Sequence, residues 1–330
     1  KMNLLARALR YSGANRLLHA AGSWSGLIVL NYHRIGDPAN TRLDRGVFSA
    51  TEADFDAQLN HLGQHCEIIG LGDLERALMD ARGRYARITF DDGYWDNYEL
   101  AFPILLSRRL PAVFCVTTGF LDHQLVAWWD EIAWMVRNSP RQALPPTRWT
   151  PSPLEFDEPS RETAVQTLLG LFKQLPGDET GPFLEAIAEE TGSGRHTTTG
   201  NDPVWMTWEM LREMSSAGMS FAGHTVTHPV LSRMTPDQQW DEVSTCKVRL
   251  EHELGAPIEA FSYPVGAPDC FNDVTRACLE RAGYRWAFSF SGGYAPAGHS
   301  DLFDIPRIAV HPELTLDRIE ALVTLPQLFA

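Results

Sequence analysis

Short apolar runs, most of them followed by a stretch of helical spacing, recur along the chain and restrict its fold more than any other feature. They occupy 26–30, 86–90, 112–116, 219–222, 260–263, 286–290 and 305–310, with a shorter one at 67–71. Near-continuous apolar character implies burial on both faces, as in a parallel sheet covered by helices. Helical patterns fall at 51–65, 73–81, 98–109, 207–217, 236–254, 272–282 and 316–322. In the first of these, Thr51 is placed as N-cap with Asp54 three positions on, and Phe55, Leu59 and Leu62 share a face. About seven or eight such units suit a closed barrel better than an open sheet. The expected fold is therefore α/β, a distorted (β/α) barrel of about seven strands, and 330 residues is a length such barrels reach with insertions.

The alternation lapses between about 121 and 203. This stretch opens on Trp128, Trp129 and Trp134, passes through Pro-rich sequence around 145–159, holds helical patterns near 164–174 and 183–191, and ends in Gly/Thr-rich sequence at 192–200. It reads as a mainly helical insertion at one end of a domain spanning 26–330. Residues 1–25 stand apart, carrying Lys1, Arg7, Arg10 and Arg16 with no acid, set against Leu4, Leu5, Leu9, Leu17 and Leu18. The first reading of this basic amphipathic segment is a helix packed on the body of the domain. The second is peripheral contact with an anionic membrane surface.

A net charge of -14 argues against nucleic acid as a partner, because that affinity rests on Lys and Arg neutralising phosphates. The 5 cysteines have no CxxC spacing and sit largely in apolar runs, which suits a reducing compartment better than a disulfide framework. There is no apolar h-region with a small-residue cleavage site, and no run reaches the ~20 apolar residues of a spanning helix. A cytoplasmic location, at the membrane surface if the basic segment binds there, is the expectation.

Polar residues collect where the apolar runs end. His33 follows the first, Asp91 and Asp92 follow 86–90, His224 and His228 follow 219–222, Tyr263 closes 260–263, and His311 follows 305–310. Barrel active sites are built on this carboxyl face. Adjacent carboxylates at a strand end repel unless something positive sits beside them, and a metal ion is the obvious candidate. If His224 to His228 forms one helical turn, the i,i+4 spacing puts both imidazoles on one face. Two His and one carboxylate form a common catalytic zinc set, although this spacing alone is weak.

Thr89-Phe90-Asp91-Asp92-Gly93 resembles the first motif of the polysaccharide deacetylases, the family with the NodB homology domain (carbohydrate esterase family 4). His224-Thr225-Val226-Thr227-His228-Pro229 resembles the second, and the two stand in the family's order. The resemblance covers roughly 28–311, less the insertion. It implies that Asp92, His224 and His228 bind a divalent metal, most simply Zn2+, and that Asp91 is the general base. Phe261-Ser262-Tyr263-Pro264-Val265-Gly266 is similar to the third motif, Arg-x-Pro-Tyr, with Ser262 in place of the arginine and Val265 in place of the tyrosine. The Val265 backbone N–H then serves the oxyanion.

Arg307 is the expected substitute for the missing arginine. In a strand it shares a face with Ala309 and His311, so guanidinium and imidazole both point at the site. His311 lies one residue out of register with the family's Leu-x-Leu-x-His motif, which implies a general acid. The Asp-x-x-Asp-Trp motif has no match, and Trp286 is expected in the core. His33 and Tyr263, with Trp128 and Trp129 of the insertion, are the candidate substrate contacts. The expected activity is metal-dependent removal of N-acetyl groups from amino sugars of a glycan, cell-surface or precursor. The alternatives are an O-acetyl esterase on a glycan, an amidohydrolase on a small amide, and an inactive glycan-binding relative.

Overall fold

The computed structural model describes residues 23–157, 160–197 and 203–330, together with Ala6 and Leu18. The basic segment expected at 1–25 thus lies almost wholly outside the described residues. The barrel strands are β1 (Gly26–Tyr32), β2 (Arg84–Phe90), β3 (Val113–Val116), β4 (Ser220–Gly223), β5 (Ala260–Ser262), β6 (Trp286–Ser289), β7 (Ile305–Pro306) and β8 (Ile308–Ala309). Each pairs in parallel with the next from β1 to β7, while β8 pairs in parallel with β1. The single strand expected at 305–310 is therefore two pieces that bridge the ends of the sheet. Arg307 stands between them, its N–H donating to the Ser289 carbonyl (3.1 Å), and beyond β8 the Val310 N–H donates to the Asn31 carbonyl (2.9 Å). This crossing from β6 to β1 turns an open sheet into a barrel.

Side chains alternate across each strand, so each strand feeds two cores. Leu27, Val29, Val113, Cys115, Ala222, Ala260, Phe288 and Ile305 fill the lumen, whereas Ile28, Leu30, Tyr32, Ile88, Phe90 and Phe114 pack under the helices. The inward parity continues upward into polar residues. Asn31 follows Val29 on β1, Ser262 follows Ala260 on β5, and Arg307 follows Ile305. The top layer of the barrel interior is thus polar by the same period of two that makes the rest apolar.

The helices begin where the sequence places their caps. The Thr51 hydroxyl accepts the Asp54 N–H, Thr207 and Thr235 open capping boxes, and Gly255 ends Pro236–Leu254 in left-handed backbone. The insertion lies between β3 and β4 and contains the helices Thr118–His123, Trp128–Arg137, Ser160–Phe172 and Gly177–Thr191. It has packing of its own: Trp128 stacks on Phe172 at 4.2 Å, and Phe172 meets Phe183 edge-on. All five cysteines are buried and unpaired. Among the described residues no helix is long and apolar enough to cross a membrane.

Candidate active site

A cavity of about 590 Å³ opens at the carboxyl ends of the strands, within the size range of small-ligand sites. Asp91, Asp92, His224, His228, Arg307, Val265 and His33 line it, facing Trp128 and Trp129 of the insertion.

Asp91 is fully enclosed, and Arg307 holds it through two parallel hydrogen bonds, Nη1 to Oδ1 (2.8 Å) and Nη2 to Oδ2 (2.9 Å). The Asn31 amide and the Ser262 hydroxyl each donate to Oδ2 at 3.2 Å. Arg307 also donates to Asn31 Oδ1 (2.6 Å) and to Ser262 Oγ (2.7 Å), closing the network. Burial pushes the Asp91 carboxyl up, but the Arg307 guanidinium, with His224 nearby, more than reverses this and holds it well below the usual carboxylate range. Asp91 is ionised at any ordinary pH. Ser262, which stands where the resemblance would place an arginine, accepts from Arg307 and donates to Asp91, so Arg307 provides the guanidinium beside this carboxylate.

Asp92 has no such partner. Its Oδ1 is buried and accepts no hydrogen bond, and His224 Nε2 and His228 Nε2 both lie 3.4 Å from it. That is beyond good hydrogen-bond distance, so the imidazoles act on Asp92 through charge. Burial raises this carboxyl too, and the nearness of His224 and His228 outweighs it, leaving the net shift downward. For His224 burial works against protonation, and Asp91 and Asp92 overcome it, so its pKa is raised. His228 is pushed down to about 3 by burial and by His224. Asp92, His224 and His228 each offer one ligand atom, all within 4.8 Å of one another. His224 Nδ1 lies 2.7 Å from the Ser262 carbonyl, which takes the proton on that nitrogen and leaves the Nε2 lone pair facing Asp92. Three converging lone-pair atoms, one of them a buried oxygen that nothing among the described residues satisfies, fit a divalent cation.

The loop between the two histidines is not the helical turn expected from their spacing. Thr225 (φ 67°) and His228 (φ 58°) are left-handed, and the imidazoles meet edge to face at 4.7 Å. Glu242, on Pro236–Leu254, accepts from the Val226 N–H (2.7 Å), the Thr227 N–H (2.9 Å) and the Thr227 hydroxyl (2.5 Å). On the other side the Gly119 N–H donates to the Val226 carbonyl, and a Cβ on Gly119 would stand 2.5 Å from that oxygen. Of six non-glycine residues with left-handed φ among the described residues, four are site residues: Asp92, Thr225, His228 and Val265. A β-branched residue there is strained, so the surrounding contacts impose these conformations. Glu242→Ala should leave two backbone N–H groups unpaired, cost about 1–3 kcal/mol of stability and weaken metal affinity roughly 10–100-fold. Metal titration followed by tryptophan fluorescence measures the second effect, and an unchanged midpoint would show that the loop holds itself.

The structure does not bring every expected residue to the cavity. Tyr263 points the other way: its ring stacks on Phe271 at 3.9 Å and its hydroxyl donates to the Phe303 carbonyl. It is a core residue, not a substrate contact. His311 is not among the cavity's lining residues, because the break at Arg307 ends the strand parity that would have carried it inward. Besides His224 and His228, the imidazole lining the cavity is His33, stacked parallel to Phe290 at 6.4 Å. Trp128 and Trp129 line the cavity but are nearly buried and hold His228. Trp128 Nε1 donates to the His228 carbonyl (3.1 Å), and Trp129 meets the His228 ring edge-on while its Nε1 donates to the Tyr94 hydroxyl. Asn31, Glu242 and Asp44 join the site without being marked by any motif. Asn31 does carry a local signal, as it lies two residues past Val29 on an inward face. Glu242 has none.

Residues 154–287 match the family profile described as polysaccharide deacetylase. YxkH of Bacillus subtilis (strain 168), whose name assigns it provisionally to the polysaccharide deacetylases, is 28% identical over 110 residues, 33% of this chain and 38% of YxkH. The chain thus aligns with well under half of that relative's length. Among solved structures, the Streptococcus pyogenes deacetylase PplD in complex with acetate superposes with a TM-score of 0.58 at 22% identity, covering 91% of this chain and 97% of PplD. IcaB from Ammonifex degensii gives 0.54 at 19% identity, covering 92% and 97%. These likenesses establish the barrel. Residues 154–287 are thus similar to the polysaccharide deacetylase profile, and the chain shares its barrel with solved structures of that name.

Proposed function

We propose that the protein is a metal-dependent hydrolase that removes N-acetyl groups from amino sugars of a glycan. One observation carries the proposal: a carboxylate kept charged by a buried arginine stands beside an Asp-His-His set whose ligand atoms converge, with the Asp92 oxygen unsatisfied among the described residues. The likeness to PplD, a deacetylase in complex with acetate, the product of such a reaction, supports it.

A divalent cation held by Asp92, His224 and His228 supplies Lewis-acid chemistry, acidifying water and polarising a carbonyl. The chain's own groups do the rest. Asp91, fixed by Arg307, Asn31 and Ser262, takes a proton from the attacking water as the new carbon–oxygen bond forms. A carboxylate this strongly paired is a weak base, so its value lies in position and constant charge. Val265 lines the cavity in left-handed backbone, and its N–H is the donor we assign to the developing oxyanion. As the carbon–nitrogen bond breaks, the leaving nitrogen needs a proton, and His33 is the cavity imidazole placed to give it. His311 is not placed to do so.

The test is acetate release from a panel of N- and O-acetylated amino-sugar oligomers, with chelator and then with added zinc, manganese, cobalt or nickel. Metal-dependent release from the N-acetylated set, abolished in Asp91→Asn, is expected. Release from the O-acetylated set alone would make the protein an esterase. Glycan binding with no release at any metal load would make it a binding protein.

A further inference from the structure

The far wall of the cavity carries polar groups that no step of the reaction uses. Asp44 lies in the connection between β1 and Glu52–His65, Gln166 and Lys173 come from the insertion, and all three line the cavity together with Gly46. Gln166, Leu169 and Lys173 fall at helical spacing, so one face of Ser160–Phe172 and its C-terminal turn looks onto the cavity.

Asp44 is 4% exposed yet reaches the cavity. Its Oδ1 accepts the Gly46 N–H at 2.9 Å, and its own N–H donates to Asp130 Oδ1 at 2.8 Å, which ties this connection to the insertion helix Trp128–Arg137. A Cβ on Gly46 would stand 3.2 and 3.5 Å from the Asp44 carboxylate oxygens and 3.5 Å from Gln166 Nε2. The carboxylate and the amide therefore flank one small space, kept open because residue 46 has no side chain. Lys173 makes no ion pair among the described residues, and its charge acts on Asp44 through space. One acceptor and two donors around a space next to apolar Leu169 match the vicinal hydroxyls of a pyranose ring.

We infer that Asp44, Gln166, Lys173 and the gap over Gly46 form a subsite for a second sugar ring, adjacent to the one that is deacetylated. Asp44 accepts from its hydroxyls, Gln166 and Lys173 donate to them, and the substrate is consequently at least two sugars long. This rests on the deacetylase reading of the neighbouring centre.

The experiment compares kcat/KM for acetate release from N-acetylglucosamine monomer, dimer and tetramer by the zinc-loaded full chain. The dimer is expected to exceed the monomer by about tenfold or more, one hydrogen-bonding group of interaction being worth about 1.4 kcal/mol. In the Gln166→Ala/Lys173→Ala double variant, and separately in Gly46→Ala, that ratio should fall toward one through KM. Equal rates on monomer and dimer in the wild type, or equal proportional losses on both in the variants, would overturn the subsite. Calorimetry of the dimer on the Asp91→Asn protein reads the subsite without turnover. If it binds there and the double variant abolishes binding while no form releases acetate, the subsite stands and the deacetylase reading falls. If only an oligomer carrying carboxylate or phosphate binds, Lys173 reads an acid and the neutral-ring assignment is wrong. Gln166 is exposed and Lys173 half-buried, so their truncation leaves the core intact.

Discussion

Arg307→Ala should nearly abolish acetate release and lower the stability of the folded chain by about 3–5 kcal/mol, because it strands a buried carboxylate. Arg307 and Asp91 are both essentially inaccessible to water and share two hydrogen bonds. With the guanidinium gone, the largest influence opposing burial is lost and only His224 and His33 still favour the charged form. The carboxyl should then move from far below the usual range to above it. The linkage has a definite sign. A carboxyl depressed in the folded state stabilises the fold above its unfolded pKa of ~3.9, and that stability is lost as pH falls through the folded value. In the variant the order reverses: folding favours the protonated acid, stability falls as pH rises through the unfolded value, and the deficit is largest at neutral pH.

Denaturant unfolding at pH 4 and pH 7.5 measures this directly. The wild type should be no less stable at 7.5 on account of this pair, whereas the variant should be weaker at 7.5. Arg307→Lys keeps a charge but cannot make the paired contacts or bridge to Asn31 and Ser262, so it should recover only part of the stability. Adding Asp91→Asn to Arg307→Ala removes the stranded charge and should restore stability without restoring activity. A fully active Arg307→Ala protein would refute the assignment of Asp91 as base.

The second large effect is at Asp92. Asp92→Ala should eliminate metal-dependent stabilisation and reduce acetate release by about 10³-fold or more, leaving only what binding and the other groups supply. In the wild type, saturating zinc at 1,000 times its dissociation constant adds about 4.1 kcal/mol of apparent stability, and chelation removes it. Asp92→Ala eliminates the buried oxygen on which both imidazoles converge, so its melting temperature should be the same with zinc and with chelator. The apo variant should not be greatly less stable than the apo wild type, since the change also removes an unsatisfied buried acceptor. A metal response that persists in Asp92→Ala would place the cation elsewhere.

The strands, the capped helices and the two motifs are legible in the sequence because each is local. A short apolar run with polar residues at its end marks a strand, and a threonine three residues ahead of its N–H partner marks a helix start. Asp91, Asp92, His224 and His228 can be paired from sequence alone because the motifs keep their order and lie at strand ends. Local pattern misleads where a side chain's direction depends on a break in regularity. Extending strand parity to 311 puts His311 in the site, but the strand is cut at Arg307. Tyr263, at the end of an apolar run, is likewise expected in the cavity, yet it turns into the core beside Phe271. Helical spacing suggests a shared face for His224 and His228. The imidazoles do converge, yet on a left-handed loop held by Glu242, a helix residue sixteen positions beyond Val226.

The sequence by itself placed Asp91, Asp92, His224 and His228 at strand ends on the carboxyl face of a parallel barrel, since strand ends and barrel both follow from periodicity and local motif. Only the tertiary structure decided which groups touch. Arg307 reaches Asp91 because β7 and β8 close the ring onto β1, the neighbour of β2. Asp44, Gln166 and Lys173 share a wall because an insertion between β3 and β4 folds back over the connection that follows β1. Contacts between segments far apart in the chain are set by barrel closure and packing, which leave no periodic trace in the residues that make them.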